Sequence, residues 1–89
     1  MEIVYEIDHT SYGWWIGRFD RQNPDFYQCV RYLHNDGTWQ KNALNPKLNN
    51  VRGHHEMNPR NYPAYFSDPK ELIKLFRTVC PGETLIVRN

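Results

Sequence analysis

Apolar and polar positions alternate from the start of the chain. Ile3, Tyr5 and Ile7 are interleaved with Glu2, Glu6 and Asp8, the period-two signature of a strand with one face buried, which predicts a first strand over residues 1–8. His9 to Gly13 is turn material, and Gly13 to Phe19 (GWWIGRF) reads as a second strand. Residues 21–25 form a polar loop around Pro24. A third strand is expected over Phe26 to His34, a run of aromatic and β-branched residues. Asn35-Asp36-Gly37 then signals a tight hairpin, because glycine accepts positive φ without penalty and Asn and Asp tolerate it. Thr38 to Asn42 returns as a fourth strand, antiparallel to the third.

The pattern breaks over residues 43–66. Pro46, Pro59 and Pro63 interrupt it, asparagines crowd it, and neither a helical nor a strand period emerges. Long structureless segments are uncommon in compact domains and tend to be functional. Val51, Met57, Tyr62, Tyr65 and Phe66 offer anchors, so the segment is expected to be an ordered loop across the sheet edge, with at most a short strand or helical turn. Periodicity returns at Asp68-Pro69-Lys70-Glu71, a helix start with Asp68 as N-cap, Pro69 in the first helical position and Glu71 three residues after the cap. Leu72, Ile73, Leu75, Phe76 and Val79 fall on one stripe, with Lys70, Lys74 and Arg77 opposite. Pro81-Gly82 ends the helix, and Thr84 to Arg88 is a last strand. The expected fold is a small α+β domain spanning residues 1–89. Its antiparallel sheet has four to five strands, it carries one helix in the C-terminal half, and its order is β-β-β-β-loop-α-β.

One helix covers one face of a sheet. Strand two, however, is apolar on both sides, with Trp14 and Ile16 on one and Trp15 and Phe19 on the other. Strand three repeats this, with Phe26, Val30 and Tyr32 set against Tyr27, Cys29 and Leu33. The second face therefore needs a cover: the 43–66 loop, a second copy of the chain, or a partner. Large exposed apolar patches tend to mark interaction sites.

Composition sharpens this. Hydrophobic residues make up 39% of the 89 residues and aromatic residues 15%, so the chain is poor in aliphatics and rich in rings that each bury about 150–250 Å². The length excludes a multidomain enzyme, and no apolar run approaches the roughly 20 residues of a membrane span. The formal net charge is +1, unlike the strongly basic balance of a dedicated DNA-binding protein. The charge is unevenly placed: Glu2, Glu6, Asp8 and Asp20 face only Arg18 in the first 20 residues. The middle carries Arg21, Arg31, Lys41, Lys47, Arg52 and Arg60 against Asp25, Asp36 and Glu56. Cys29 and Cys80 stand far apart with no C-x-x-C pair, and no signal-peptide pattern opens the chain. Reduced thiols in a cytoplasmic protein are the expectation, with a Cys29–Cys80 disulfide the alternative.

Three constellations carry candidate chemistry. His54-His55-Glu56, flanked by Arg52 and Arg60, combines a general base with phosphate-stabilising arginines, the ingredients of a metal-free nuclease. A zinc site would need three or four converging ligands, which His9, His34 and the thiols would have to bring from separate elements, so no metal and no cofactor is expected. Trp14, Trp15 and Trp39, with Arg18, Arg31 and Lys41 nearby, could stack bases; the plainer reading is that tryptophan builds this aliphatic-poor core. The Lys70, Lys74 and Arg77 stripe reads as a solvated helix face. Nucleotide-binding glycine loops and hydrolase or zinc-protease motifs do not occur.

The expectation from sequence is a non-enzymatic binding protein, of the viral-type inhibitor or adaptor kind, that docks onto another protein. Its contacts would come from Trp14, Trp15, Arg18, Trp39, Arg52, His54, His55, Arg60 and Tyr62, residue types enriched at interface hot spots. The alternatives are binding of RNA, single-stranded DNA or a nucleotide through the same rings and cations, and, third, a His54- or His55-dependent nuclease. A homodimer is compatible with the uncovered face, and a membrane partner is not expected.

Overall fold

A computed structural model describes residues 2–25, 30–45, 58 and 60–88. The strands are β1 (Ile3–Thr10), β2 (Gly13–Asp20), β3 (Arg31–Leu33), β4 (Trp39–Gln40) and β5 (Leu85–Val87), and the helix α1 spans Pro69–Val79. They form one five-stranded sheet in the order β4-β3-β2-β1-β5. The expected α+β architecture and its single C-terminal-half helix are present. The sheet is mostly antiparallel but mixed, because β5 runs parallel to β1, with Tyr5 opposite Leu85 and Ile7 opposite Val87. The chain leaves β4 at one edge and enters β5 at the other. Strands at opposite edges of the sheet cannot be joined by a tight turn, and α1 lies within the connection.

That connection places α1 over one face of the central strands. Ile7, Ile16, Leu33, Leu72 and Phe76 form the buried cluster, with Ile16, Leu33 and Leu72 at 0% exposure. Burying each such side chain stabilises the fold by about 1.5–3 kcal/mol relative to exposure. The helix begins as its sequence predicts: Pro69 opens it and the Asp68 carboxylate accepts the Lys70 backbone N–H at 2.9 Å.

The turns follow their chemistry. In the β3–β4 hairpin the His34 N–H donates to the Thr38 carbonyl at 2.9 Å, and Gly37 takes the left-handed conformation at φ +84°. The Asp36 carboxylate accepts from the Thr38 N–H at 3.0 Å and from its hydroxyl at 2.6 Å. These bonds, the hydroxyl one first, hold the Asp36 carboxyl below the usual aspartate range. His34 is buried, and its Nε2 lies 2.6 Å from the Asn42 carbonyl oxygen. A carbonyl only accepts, so this nitrogen carries the proton and the ring serves as a structural clasp.

The third and fourth strands are shorter than their sequence patterns. Of the expected strand over Phe26 to His34, Arg31–Leu33 is strand and Val30 and His34 are not, while residues 26–29 lie outside the described residues; the expected Thr38 to Asn42 narrows to Trp39–Gln40. Most of the 43–66 segment also lies outside them, but its C-terminal end is clear. The asparagines there build turns: Asn58 Oδ1 accepts from the Arg60 and Asn61 N–H groups at 3.0 and 3.1 Å. The Asn45 side-chain amide donates to the Arg60 carbonyl at 3.1 Å. Phe66 then joins Trp14 in an isolated antiparallel bridge, with both N–H to carbonyl bonds at 2.8 Å. The asparagine tract that erased the periodic pattern thus supplies the side-chain acceptors for this part of the loop.

Candidate aromatic interface

Strand register distributes the rings between the two faces. Directly opposed residues of antiparallel strands share a face. The pairs Ile7–Ile16 and Leu33–Trp39 mark the face under α1. Gly17 opposite Tyr32 marks the other, which also carries Val4, Trp15 and Phe19. The adjacent tryptophans of β2 therefore point apart.

Trp14 lies half-buried on the helix face, packed against the core and stacked on His9 with ring centroids 4.3 Å apart and planes at 19°. Trp39 is on the same face, also against the core, and reaches across β3 and β2 to stand 5.4 Å from the Tyr5 ring. The three tryptophans do not form one stacking platform: Trp14 and Trp39 contribute to the core margin, and Trp15 alone is on the second face. Arg18 is half-buried beside Tyr5. Arg60 is exposed in the Asn58 turn, two residues before half-buried Tyr62. Arg52, His54 and His55 lie outside the described residues.

The second face carries a more extended group than the tryptophans alone. Trp15 and Tyr32 lie 5.1 Å apart at 47°. Tyr65 stands 5.8 Å from Tyr12 and 6.1 Å from Tyr62. Burial pushes the Tyr65 phenol above its ordinary value, and the neighbouring phenols of Tyr32, Tyr12 and Tyr62 push it the same way. Tyr65 therefore pairs with both Tyr12 and Tyr62 and lies within electrostatic reach of Tyr32. These separations are within the range of favourable ring pairing.

Each element places its ring for an identifiable reason. Tyr12 occupies the tip of the two-residue β1–β2 turn, where the Thr10 hydroxyl accepts its N–H at 3.2 Å, and is 61% exposed. Phe66 is locked to Trp14 and packs toward the core, so Tyr65, one residue earlier, faces the other way. The Asn35 N–H holds the Pro63 carbonyl at 3.0 Å and fixes the base of the segment. Beneath the rings Gly17 is buried and Phe19 is 4% exposed. Toward β5 the same face turns polar, with Glu6 paired to Arg88 at 3.0 Å.

Sequence reading selected Trp15 and Tyr62 but passed over Tyr12, Tyr32 and Tyr65 as site residues. The available signal was strand parity, which places Tyr32 with Trp15; the tyrosines of turn and loop had none. Among the described residues no three His, Cys, Asp or Glu side chains converge as metal ligands, and Cys80 is a free thiol. Among them, too, no helix is long and apolar enough to cross a membrane. No protein-family model matches the chain, and comparison with curated proteins and with solved structures returns no match.

Proposed function

We propose that this chain is a small non-enzymatic binding protein, acting as an inhibitor or adaptor, whose contact surface is the sheet face opposite α1. The observation that supports this reading is the run of tyrosines around Trp15, on the face that the helix does not cover. Tyr and Trp offer large, rigid contact areas with a polar tip, the properties that enrich them at binding hot spots. The exposed guanidinium of Arg60 next to Tyr62 adds a rim cation.

The test is affinity capture from the native host by the parent chain and by Trp15→Ala, with bound protein and nucleic acid both quantified. Loss of a central hot-spot tryptophan costs about 2 kcal/mol or more, so a specific protein partner retained by the parent should be lost from the variant. Equal capture by a folded Trp15→Ala, Tyr62→Ala double variant overturns the reading. Trp14 and Trp39 are unsuitable for this test because both pack against the core. Binding of a nucleic acid instead is distinguished by salt, since each phosphate contact steepens the salt dependence by about 0.7–0.9 log unit per log unit of salt. Light scattering on the purified chain decides whether a second copy is the partner.

A further inference from the structure

The helix-covered face ends in a row of a different character. Tyr5, Arg18 and Arg31 stand directly opposite one another across β1, β2 and β3, one step along the strands from the Ile7–Ile16 layer. Lys41 follows directly on β4 and is exposed. Tyr5, Arg18 and Arg31 are all half-buried. Opposed like charges on neighbouring strands are destabilising, and a charge held near a partly buried row gains more from a counter-charge than a fully solvated one does.

Among the described residues, neither arginine has a carboxylate partner. The ion pairs there join Arg21 to Glu2 and Arg88 to Glu6. The next acidic group along β2 on this face, Asp20, already accepts the backbone N–H groups of Glu2 and Gln22 at 3.0 and 3.1 Å through one oxygen. The Tyr5 phenol stands opposite Arg18, and a neutral phenol does not neutralise a guanidinium. Trp39, 5.4 Å from Tyr5, walls the row off on the core side. Two adjacent planar forks with five donors each match the oxygens of a phosphate better than any single cation does.

We propose that Arg18 and Arg31 form an anion site that binds a phosphate group, with Lys41 at its rim and Tyr5 and Trp39 as its wall. It lies on the opposite side of the sheet from Trp15 and stands independently of the aromatic interface. The phosphate group is either free or carried by a nucleotide, and the two sources are separable. Phosphate-free protein is titrated with inorganic phosphate and, separately, with adenosine 5′-monophosphate, by calorimetry and by thermal melting, with chloride holding the ionic strength constant. The expected result is saturable binding and a rise in Tm with phosphate. Tighter binding of the nucleotide assigns the base to the aromatic wall, and equal binding assigns recognition to the phosphate group alone. Arg31→Gln should melt above the parent in chloride, because the like-charge pair is gone, and should bind phosphate at least tenfold more weakly. Arg31→Glu places a carboxylate where the anion would sit, and should melt higher still with no phosphate response. Absence of saturable phosphate binding by the parent, or equal affinity in the parent and either variant, overturns the assignment.

Discussion

A methyl group added at Gly17 tests the packing of the aromatic face. Gly17 is buried in mid-strand, and the left-handed glycines among the described residues are Gly13, Gly37 and Gly82, so no backbone conformation requires glycine here. Space does. A Cβ at this point would stand 2.7 Å from the Trp15 ring, 2.8 Å from the Phe19 ring and 2.9 Å from a Val30 methyl, where carbon atoms prefer about 3.5–4.0 Å. Two effects oppose each other in Gly17→Ala. Restricting the unfolded chain stabilises by roughly 0.5–1 kcal/mol, while overpacking costs about 1–3 kcal/mol. Three contacts below 3.0 Å put the overpacking in the upper part of its range, so the second wins, leaving a net loss of about 1–2 kcal/mol. For a domain of this size, that lowers Tm by roughly 4–16 °C. Thermal and urea denaturation followed by circular dichroism measure the loss, and tryptophan emission reports displacement of the Trp15 ring. A variant as stable as the parent, or more stable, would refute the packing of three side chains over this point.

Two further perturbations probe the core and the phenols. Leu72→Ala removes a side chain at 0% exposure between helix and sheet, and should cost about 2–5 kcal/mol in urea unfolding; a loss below about 1 kcal/mol would mean that α1 does not pack where it is placed. The Tyr65 phenol is raised above its ordinary value of 10.0 by burial first, and the Tyr5 phenol by burial against the opposing pull of Arg18. An acid whose folded-state value is raised contributes stability below the unfolded value and loses it as pH rises through the folded one. Unfolding midpoints should therefore fall above pH ~10, and Tyr65→Phe should flatten that decline; an unchanged alkaline profile in the variant would contradict the burial of Tyr65.

Much of the fold was legible because several local signals agreed. Alternation in β1, the Asn-Asp-Gly turn and the Asp-Pro helix start each rest on a residue's own conformational preference, and neighbours reinforce them. The apolar stripe of α1 pointed to Leu72 and Phe76 as core. Less was legible where side chains stand in for backbone. Asn45 and Asn58 bond main-chain groups across turns, so residues 60–66 carry order without any period. The ends of β3 and β4 were equally hidden, because Val30, His34 and Thr38, which flank the paired residues, share their strand composition.

The candidate site divides in the same way. Strand parity alone placed Trp14 and Trp15 on opposite faces and showed that a single helix leaves one of them uncovered. It did not show that Trp39 folds back across two strands to the core margin, nor that Tyr12, Tyr62 and Tyr65 gather from a turn tip and a loop. Which residues alternate is a property of neighbours along the chain, set by the two-residue period of extended backbone. Which strands lie side by side, that β5 runs parallel to β1, and that Arg18 faces Arg31 depend on register between segments far apart in sequence. That register is settled by burying the Ile7, Ile16, Leu33, Leu72 and Phe76 cluster, since a one-residue slip would turn every one of a strand's core side chains outward.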